Sequence, residues 1–441
     1  MPSHKNMPLL KDELKLNSFF SGIGGFEVAF ERAGFQVSFH CEKDKFCRSI
    51  LERHWPNTPC APDITTLDPK DIPRAQVWTA GFPCQDLSMA RTPHGRSGLK
   101  GQQSSLFFEL RDLMAAHRPE VVLIENVVGL LNSHGGQDFK ILLSSLAELG
   151  YGVSWRVLNA RYFGAAQSRP RVFICAWLKN PANAARALFE DEIAEQPGGE
   201  REGFVSACRP TVTGAVVPRV SFCISATSGR HTGLDWARSY VTYPRSVRRL
   251  TPRECERLQG FPDDWTVPGE SYRVPARGID TERYHAVGNA VCVPVVEWIA
   301  NRIMLMLESG NSGRRKAYST AESLRACAGE FASPAARLFS EPKRLDAVKW
   351  RSGGVAYKEA IVDAPASTAP CTPVASYFSE VIERNSVSEK YYLSSNAAQG
   401  IIRRVDKMGR RLFAPLDRSL RELAQTGEYS GKPMEVEAVA A

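Results

Sequence analysis

The first group in this sequence with evident chemical reach is a thiol. In Gly81-Phe82-Pro83-Cys84-Gln85-Asp86-Leu87-Ser88, the apolar run Val77-Trp78-Thr79-Ala80 leads into a Gly/Pro loop, which predicts a short buried strand ending at that loop. Open α/β sheets seat their ligands just past the carboxyl ends of strands, so Cys84 stands where a nucleophile is useful. Taken alone, a free cysteine is more often a small buried hydrophobe, because reactivity needs a lowered pKa and some exposure.

Two further stretches predict polar groups at the same sheet edge. "VVLIENVVGLL" places Glu125 and Asn126 directly after an apolar strand over 121–124. A carboxylate there can be desolvated enough to hold a proton near neutral pH, although an acid at a helix start gives the same local pattern. "QSRPRVFICAW" puts Arg169 and Arg171 immediately before a strand over 172–177, where two guanidinium groups can lower a thiol pKa and grip a polar ligand.

A glycine turn, "FFSGIGGFE", joins the first strand to the first helix through Gly22, Gly24 and Gly25. A dinucleotide fingerprint needs glycine at position 27, where this chain has Glu27, and the Gly-Lys-Ser/Thr of a phosphate loop is missing. An acid at that helix start repels pyrophosphate but tolerates an amine or a sulfonium. Glu42 ends the next strand, where an acid commonly accepts hydrogen bonds from ribose hydroxyls. The combination points to an adenosine cofactor with a positive centre, S-adenosylmethionine, with a purely structural turn as the alternative.

These groups need a scaffold. Strand-like runs over 16–20, 37–41, 77–80, 121–124 and 172–177 alternate with helical patterns over 26–33, 106–117 and 139–149, the signature of an α/β fold with a parallel sheet covered by helices. From 178 to 247 turn-rich pieces such as "QPGGEREG" and "SATSGRHTG" mark a β and loop-rich insert. Helical periodicity returns in "LTPRECERLQG" and "AVCVPVVEWIANRIMLML". The expected organisation is a first catalytic part (1–177), an insert (178–247), a second catalytic part (248–310) and an extension (311–441). Within the extension, "ESGNSGRRKAYST" and "DAPASTAPCTPVAS" read as linkers before two basic helices.

The 441 residues are 43% hydrophobic, ordinary for a globular chain, and the net charge is +8. Residues 203–249 hold seven arginines (Arg209, Arg219, Arg230, Arg238, Arg245, Arg248, Arg249) against the single acid Asp235. Arginine without lysine suits phosphate and guanine edges, and a solvated face is the plain alternative. The eleven cysteines include no CxxC pair, which argues against a disulfide framework or a zinc site. With no apolar leader in the first seventeen residues and no run of about 18 apolar residues, a cytoplasmic, nucleoid-associated protein without membrane contact is expected.

In this order, these residues resemble the cytosine carbon-5 DNA methyltransferases of bacteria and phages over about residues 15–305. "FSGIGG" is similar to the family's cofactor loop, "PCQ" to its nucleophile, "ENV" to its acid and "QSRPR" to its base-contacting arginines. "RRLTPRECERLQGFPDDW" and "RYHAVGNAV" resemble its two closing blocks. The resemblance implies a Rossmann-like methyltransferase fold, with Phe20, Ile23, Glu42, Asp63, Ile64, Pro83, Leu106, Asn289 and Val291 joining the loop glycines in an S-adenosylmethionine site. Lys43 stands where the family often has an aromatic. The insert takes the place of the family's target-recognition region, which implies DNA contacts from Arg209, Arg219, Arg230, Arg238 and Arg245.

The reaction so implied adds Cys84 to carbon 6 of a flipped cytosine. Glu125 acts at ring nitrogen 3, Arg171 holds the carbonyl oxygen, and no metal takes part. Gln85 to Lys100, with Gly95 and Gly98, is expected to close over the base. The implied partners are double-stranded DNA and a cognate restriction endonuclease, with the protein itself a monomer. An RNA cytosine methyltransferase on the same core, or an inactive DNA-binding regulator, are the alternatives. The extension's Arg403, Arg404, Lys407, Arg410 and Arg411 are read as phosphate contacts, a partner surface or a solvated face.

Overall fold

The structure, a computed structural model, describes residues 14–83, 106–192, 209–210, 213–229, 235–309, 320–329, 331, 336–345 and 349–425. The predicted nucleophile Cys84, the loop over 85–100 and Arg230 lie outside the described residues.

The central sheet is built from β1 (Lys15–Phe19), β2 (Gln36–Cys41), β3 (Cys60–Ala61), β4 (Val77–Ala80), β5 (Val121–Val127), β6 (Tyr151–Asn159) and β8 (Pro170–Leu178). Between the last two lies β7 (Gln167–Ser168), which pairs elsewhere with β11 (Ser221–Phe222). Helices α1 (Gly25–Arg32), α2 (Lys45–His54), α3 (Leu106–His117), α4 (Gln137–Glu148) and α5 (Pro181–Leu188) link or follow the strands. Apolar side chains of α1, α2 and α5 join one buried cluster, and those of α3 and α4 join another. A sheet sandwiched in this way buries both faces, so its strands read as near-continuous apolar runs.

The parallel sheet expected from the sequence is mixed. β1 pairs in parallel with β2 and β4, and β4 with β5, but β8 runs antiparallel between β5 and β6. Two boundaries also move: β5 continues through Glu125 to Val127, and β8 begins at Pro170, so Glu125 and Arg171 sit inside strands and not beside them. Strand β6 has no counterpart in the predicted elements, although all nine of its residues are buried.

The insert contains β9 (Arg209–Pro210), β10 (Val216–Val217), β12 (Val241–Tyr243) and β13 (Ser246–Arg248), paired as a small antiparallel sheet. Helix α5, within the segment assigned to the insert, packs instead on β6 and β8. The chain returns through α6 (Pro252–Gln259), α7 (Asp280–Asn289) and α8 (Val293–Glu308). Thr251 opens α6 with a reciprocal capping box to Glu254, the pattern foreshadowed by "TPRE". Helix α8 is the most apolar stretch, and it turns Val295, Val296, Ile299 and Ile303 onto the core against α1.

The first expected linker lies mostly over 310–319, outside the described residues, and the extension beyond it is folded onto the catalytic part. After α9 (Thr320–Gly329), strands β14 (Lys343–Arg344), β15 (Gly353–Tyr357) and β16 (Ala360–Asp363) add to the central sheet, β15 pairing antiparallel with the edge of β6. The first half of the Pro/Ala/Ser/Thr segment expected to be a linker is instead a buried strap: Ala364, Ala366 and Ala369 are inside, and Arg156 donates to the carbonyls of Ser367 and Ala369, while 372–375 are exposed. A short helix α10 (Phe378–Val381) follows, then α11 (Ser395–Lys407) and α12 (Ala414–Gln425), which pack on the insert sheet.

Candidate active site

The sheet order places β1 between β2 and β4, so the chain winds outward in both directions from β1. Crevices form at such switch points beyond the carboxyl ends of the strands. Here a cavity of about 520 Å³ opens at the ends of β1, β2, β4 and β5.

One side of the cavity is the glycine turn. Phe20 and Gly22 both adopt left-handed backbone (φ 56° each). Gly24 caps α1 at φ 85°, and a Cβ there would lie 2.4 Å from the Trp55 ring, so that glycine answers to both conformation and packing. Glu42 accepts from the amides of Gly22 and Asp44 at 2.7 Å each, which ties the turn to the end of β2, and burial pushes its pKa up. Asp63 is held below the usual carboxylate range, first by the Thr65 amide and also by Lys43, whose Nζ lies 3.0 Å away.

Phe20, Gly22, Glu42, Asp63, Ile64, Pro83, Leu106 and Asn289 all line the cavity. Two carboxylates beside the apolar faces of Phe20, Ile64 and Leu106 suit the hydroxyls and base of an adenosine, so the residues present fit the expected cofactor. Ile23, Gly24, Gly25 and Val291 are not among the lining residues. Val291 packs where a Gly25 side chain would go, and the carbonyl of Ile23 accepts from Trp265 Nε1 at 2.8 Å. Glu27 departs from its expected role. It is fully buried and lies 3.1 Å from His40 Nδ1, because the third residue of α1 points toward β2 and not into the cavity.

The other side holds Glu125, Arg169 and Arg171. Arg171 Nε lies 3.1 Å from Glu125 Oε1. Burial raises the Glu125 pKa even though Arg171 and Arg169 pull it down. Asn126 donates to the carbonyl of Phe82 at 3.0 Å and so fixes the backbone two residues before Cys84. Arg169 is a strut: it donates to the carbonyls of Ile224, Gly288 and Ala290, which binds the insert to the second closing block. Reading the sequence did not single out His285 and Asp44, which also line the cavity. His285 lies four residues before Asn289 in α7, a helical spacing that could have flagged it.

The insert arginines are scattered in role. Arg238 donates to the Thr227 carbonyl, Arg219 lies over the Tyr377 ring, and Arg248 is fully buried against Glu254. Arg245 is exposed at the turn between β12 and β13, and Arg209 belongs to the backbone of β9.

The model of the family described as C-5 cytosine-specific DNA methylase matches residues 14–202 and 223–305. The Type II methyltransferase M.NgoBI of Neisseria gonorrhoeae is 33% identical over 302 residues, covering 64% of this chain and 90% of that one. M2.BsuMI of Bacillus subtilis is 32% identical over 319 residues, covering 66% and 75%. A solved structure, the S. pombe Dnmt2 methyltransferase, aligns at 19% identity with a TM-score of 0.46, covering 68% of this chain and 100% of that one. With the family model matching more than half of its length, the chain belongs to the C-5 cytosine-specific DNA methylases.

Proposed function

We propose that this protein methylates carbon 5 of cytosine at a specific site in double-stranded DNA, with Cys84 as the nucleophile. The observation that carries the reading is Glu125, a buried carboxyl with a raised pKa, beside Arg171 and in one cavity with Glu42 and Asp63.

Carbon 5 of cytosine is too poor a nucleophile to react unaided, and covalent addition at carbon 6 activates it. The Cys84 thiolate forms a bond to carbon 6 while Glu125 gives its proton to ring nitrogen 3, so the ring does not accumulate negative charge. Arg171 faces the same space and holds the ring's carbonyl oxygen. Gly22, Glu42, Asp63 and Asn289 would hold S-adenosylmethionine, which would supply an electrophilic methyl group for carbon 5 and leave as the neutral thioether S-adenosylhomocysteine. A base, for which a water molecule in the cavity suffices, takes the carbon 5 proton as the carbon–sulfur bond breaks and the thiolate leaves, and nitrogen 3 returns its proton to Glu125. A base stacked in a duplex does not expose carbons 5 and 6 to a thiol and a methyl donor, so the base enters by flipping.

Exposed Arg245 belongs to the DNA surface, while Arg238 and Arg219 hold the insert in shape. Work as a monomer in the cytoplasm, with a cognate restriction endonuclease, completes the reading. Bisulfite sequencing of host DNA after expression tests it: converted-resistant cytosines in one sequence context are expected with the wild type and none with Cys84→Ala. Full conversion in both would refute it.

A further inference from the structure

Three cavities adjoin one another through shared arginines, the first being the reaction cavity. The reaction cavity shares Arg171 with a second of about 440 Å³, which lies between the insert and α7 and includes Arg238, Tyr240 and Tyr284. That one shares Arg249 with a third of about 310 Å³, whose other wall is Lys390, Ser394 and Ala397 of the extension. Arg249 ties the walls together, donating to the carbonyls of Gly229 in the insert and Lys390 in the extension. The trough therefore starts at the flipped base and ends on a segment beyond the family match, which stops at residue 305.

The extension is also built into the insert. Strands of two or three residues cannot enclose a core, and the outer cluster of the insert sheet is Tyr240 and Val247 covered by Leu393, Ala398, Ile401, Leu416 and Leu420 of the extension. Arg404 reaches across to the fully buried Asp235, 2.8 Å away. Ala397 and Arg404 thus turn one flank of α11 toward the insert and the trough. Arg403 and Lys407, exposed and four residues apart, share the neighbouring flank.

We propose that α11 and α12 are the second half of the target-recognition domain, and that Arg403 and Lys407 contact backbone phosphates of the duplex flanking the flipped base. This rests on the proposed DNA reading. A duplex presenting one base to the reaction cavity must lie over the adjoining face, and phosphate contacts fix register without reading sequence. Of the five extension cations that the sequence marks, Arg404 is held by Asp235, Arg410 lies over the Trp236 ring and Arg411 lies past the end of α11, which leaves the exposed pair on α11 the better placed.

The test is the salt dependence of binding to a mixed-sequence 40-base-pair duplex, measured with the full chain. Each phosphate contact contributes about 0.9 to the slope of log affinity against log salt, so Arg403→Ala/Lys407→Ala should flatten it by about 2. The KM for plasmid DNA should rise while kcat at saturating DNA and the melting temperature stay put. Lys349→Ala/Lys358→Ala, which removes two exposed cations flanking β15, should leave the slope unchanged. An unchanged slope in the first variant, or an equal fall in both, overturns the proposal. If the wild type neither binds duplex in a salt-dependent way nor incorporates methyl groups, the DNA reading itself fails, a different result.

Discussion

Arg171 and Glu125 meet diagonally across the antiparallel β8–β5 ladder: Val127 is the residue opposite Arg171, and its Nε lies 3.1 Å from the Glu125 carboxylate. The contact opposes burial. Desolvation raises the Glu125 pKa, and the guanidinium limits the rise. In the proposed reaction protonated Glu125 is the form that donates to cytosine, so activity should fall as pH climbs through that raised value. Removing the opposing charge by Arg171→Gln should raise it further and move the alkaline limb of kcat/KM to higher pH, at reduced height. Glu125→Gln should lower kcat by at least about 100-fold, the size of a general-acid contribution, and abolish that limb. A limb that keeps its position in Arg171→Gln would show that another group titrates there.

Glu42 sets a second pH dependence, of opposite sense. Its ionised form is the better acceptor for ribose hydroxyls, and burial raises its pKa. Affinity for S-adenosylmethionine should therefore be full at higher pH and weaken as pH falls through a value above the ordinary carboxylate range. Calorimetric titration of the cofactor at several pH values checks this, with Glu42→Gln expected to bind weakly at every pH. Affinity independent of pH in the wild type would remove Glu42 from ribose recognition.

The site was legible where each feature was a strand followed by a turn. Gly22, Glu42 and Pro83 lie at or just past strand ends and Glu125 near the end of β5; their apolar runs and punctuation are local, and they converge on one cavity. Glu27 misled because position in a helix start does not say which way a side chain points, and it turns inward to His40. Strand β6 was hidden by its mixture of Gly152, Ser154 and Arg156 with aromatic residues, whose polar groups find partners only through distant chain. Strand β15 pairs Gly354 with Trp155, and a Cβ on Gly354 would lie 2.4 Å from the Trp155 ring, a contact invisible without the fold.

Arg248, one of the seven arginines counted over 203–249, is a buried brace. Both it and Glu254 are fully buried, joined by parallel hydrogen bonds of 2.8 and 2.7 Å, and Glu254 also accepts from the amides of Thr251 and Glu383. Arg248→Met leaves a buried carboxylate with its charge unmatched, a loss on the order of 3–5 kcal/mol. Thermal and denaturant unfolding should show it, and adding Glu254→Gln to the first change should recover part. A single variant with wild-type stability would mean that water reaches Glu254.

A chain cut after residue 310 keeps nearly everything that resembles the family, and it should still fail. The cut uncovers the edge of β6, to which β15 is paired along five residues, and an open apolar edge is a template for aggregation. It also strips Arg156 of the Ser367 and Ala369 carbonyls and Trp155 of the Arg351 carbonyl, each an unmet buried donor costing about 1–3 kcal/mol. The outer face of the insert sheet loses its cover at the same time. We expect the truncated chain in the insoluble fraction, while the full chain is soluble under the same expression. Soluble, monomeric truncated protein with an unchanged melting temperature would show that the catalytic sheet is complete at β6, and that the added strands are ornament to its stability.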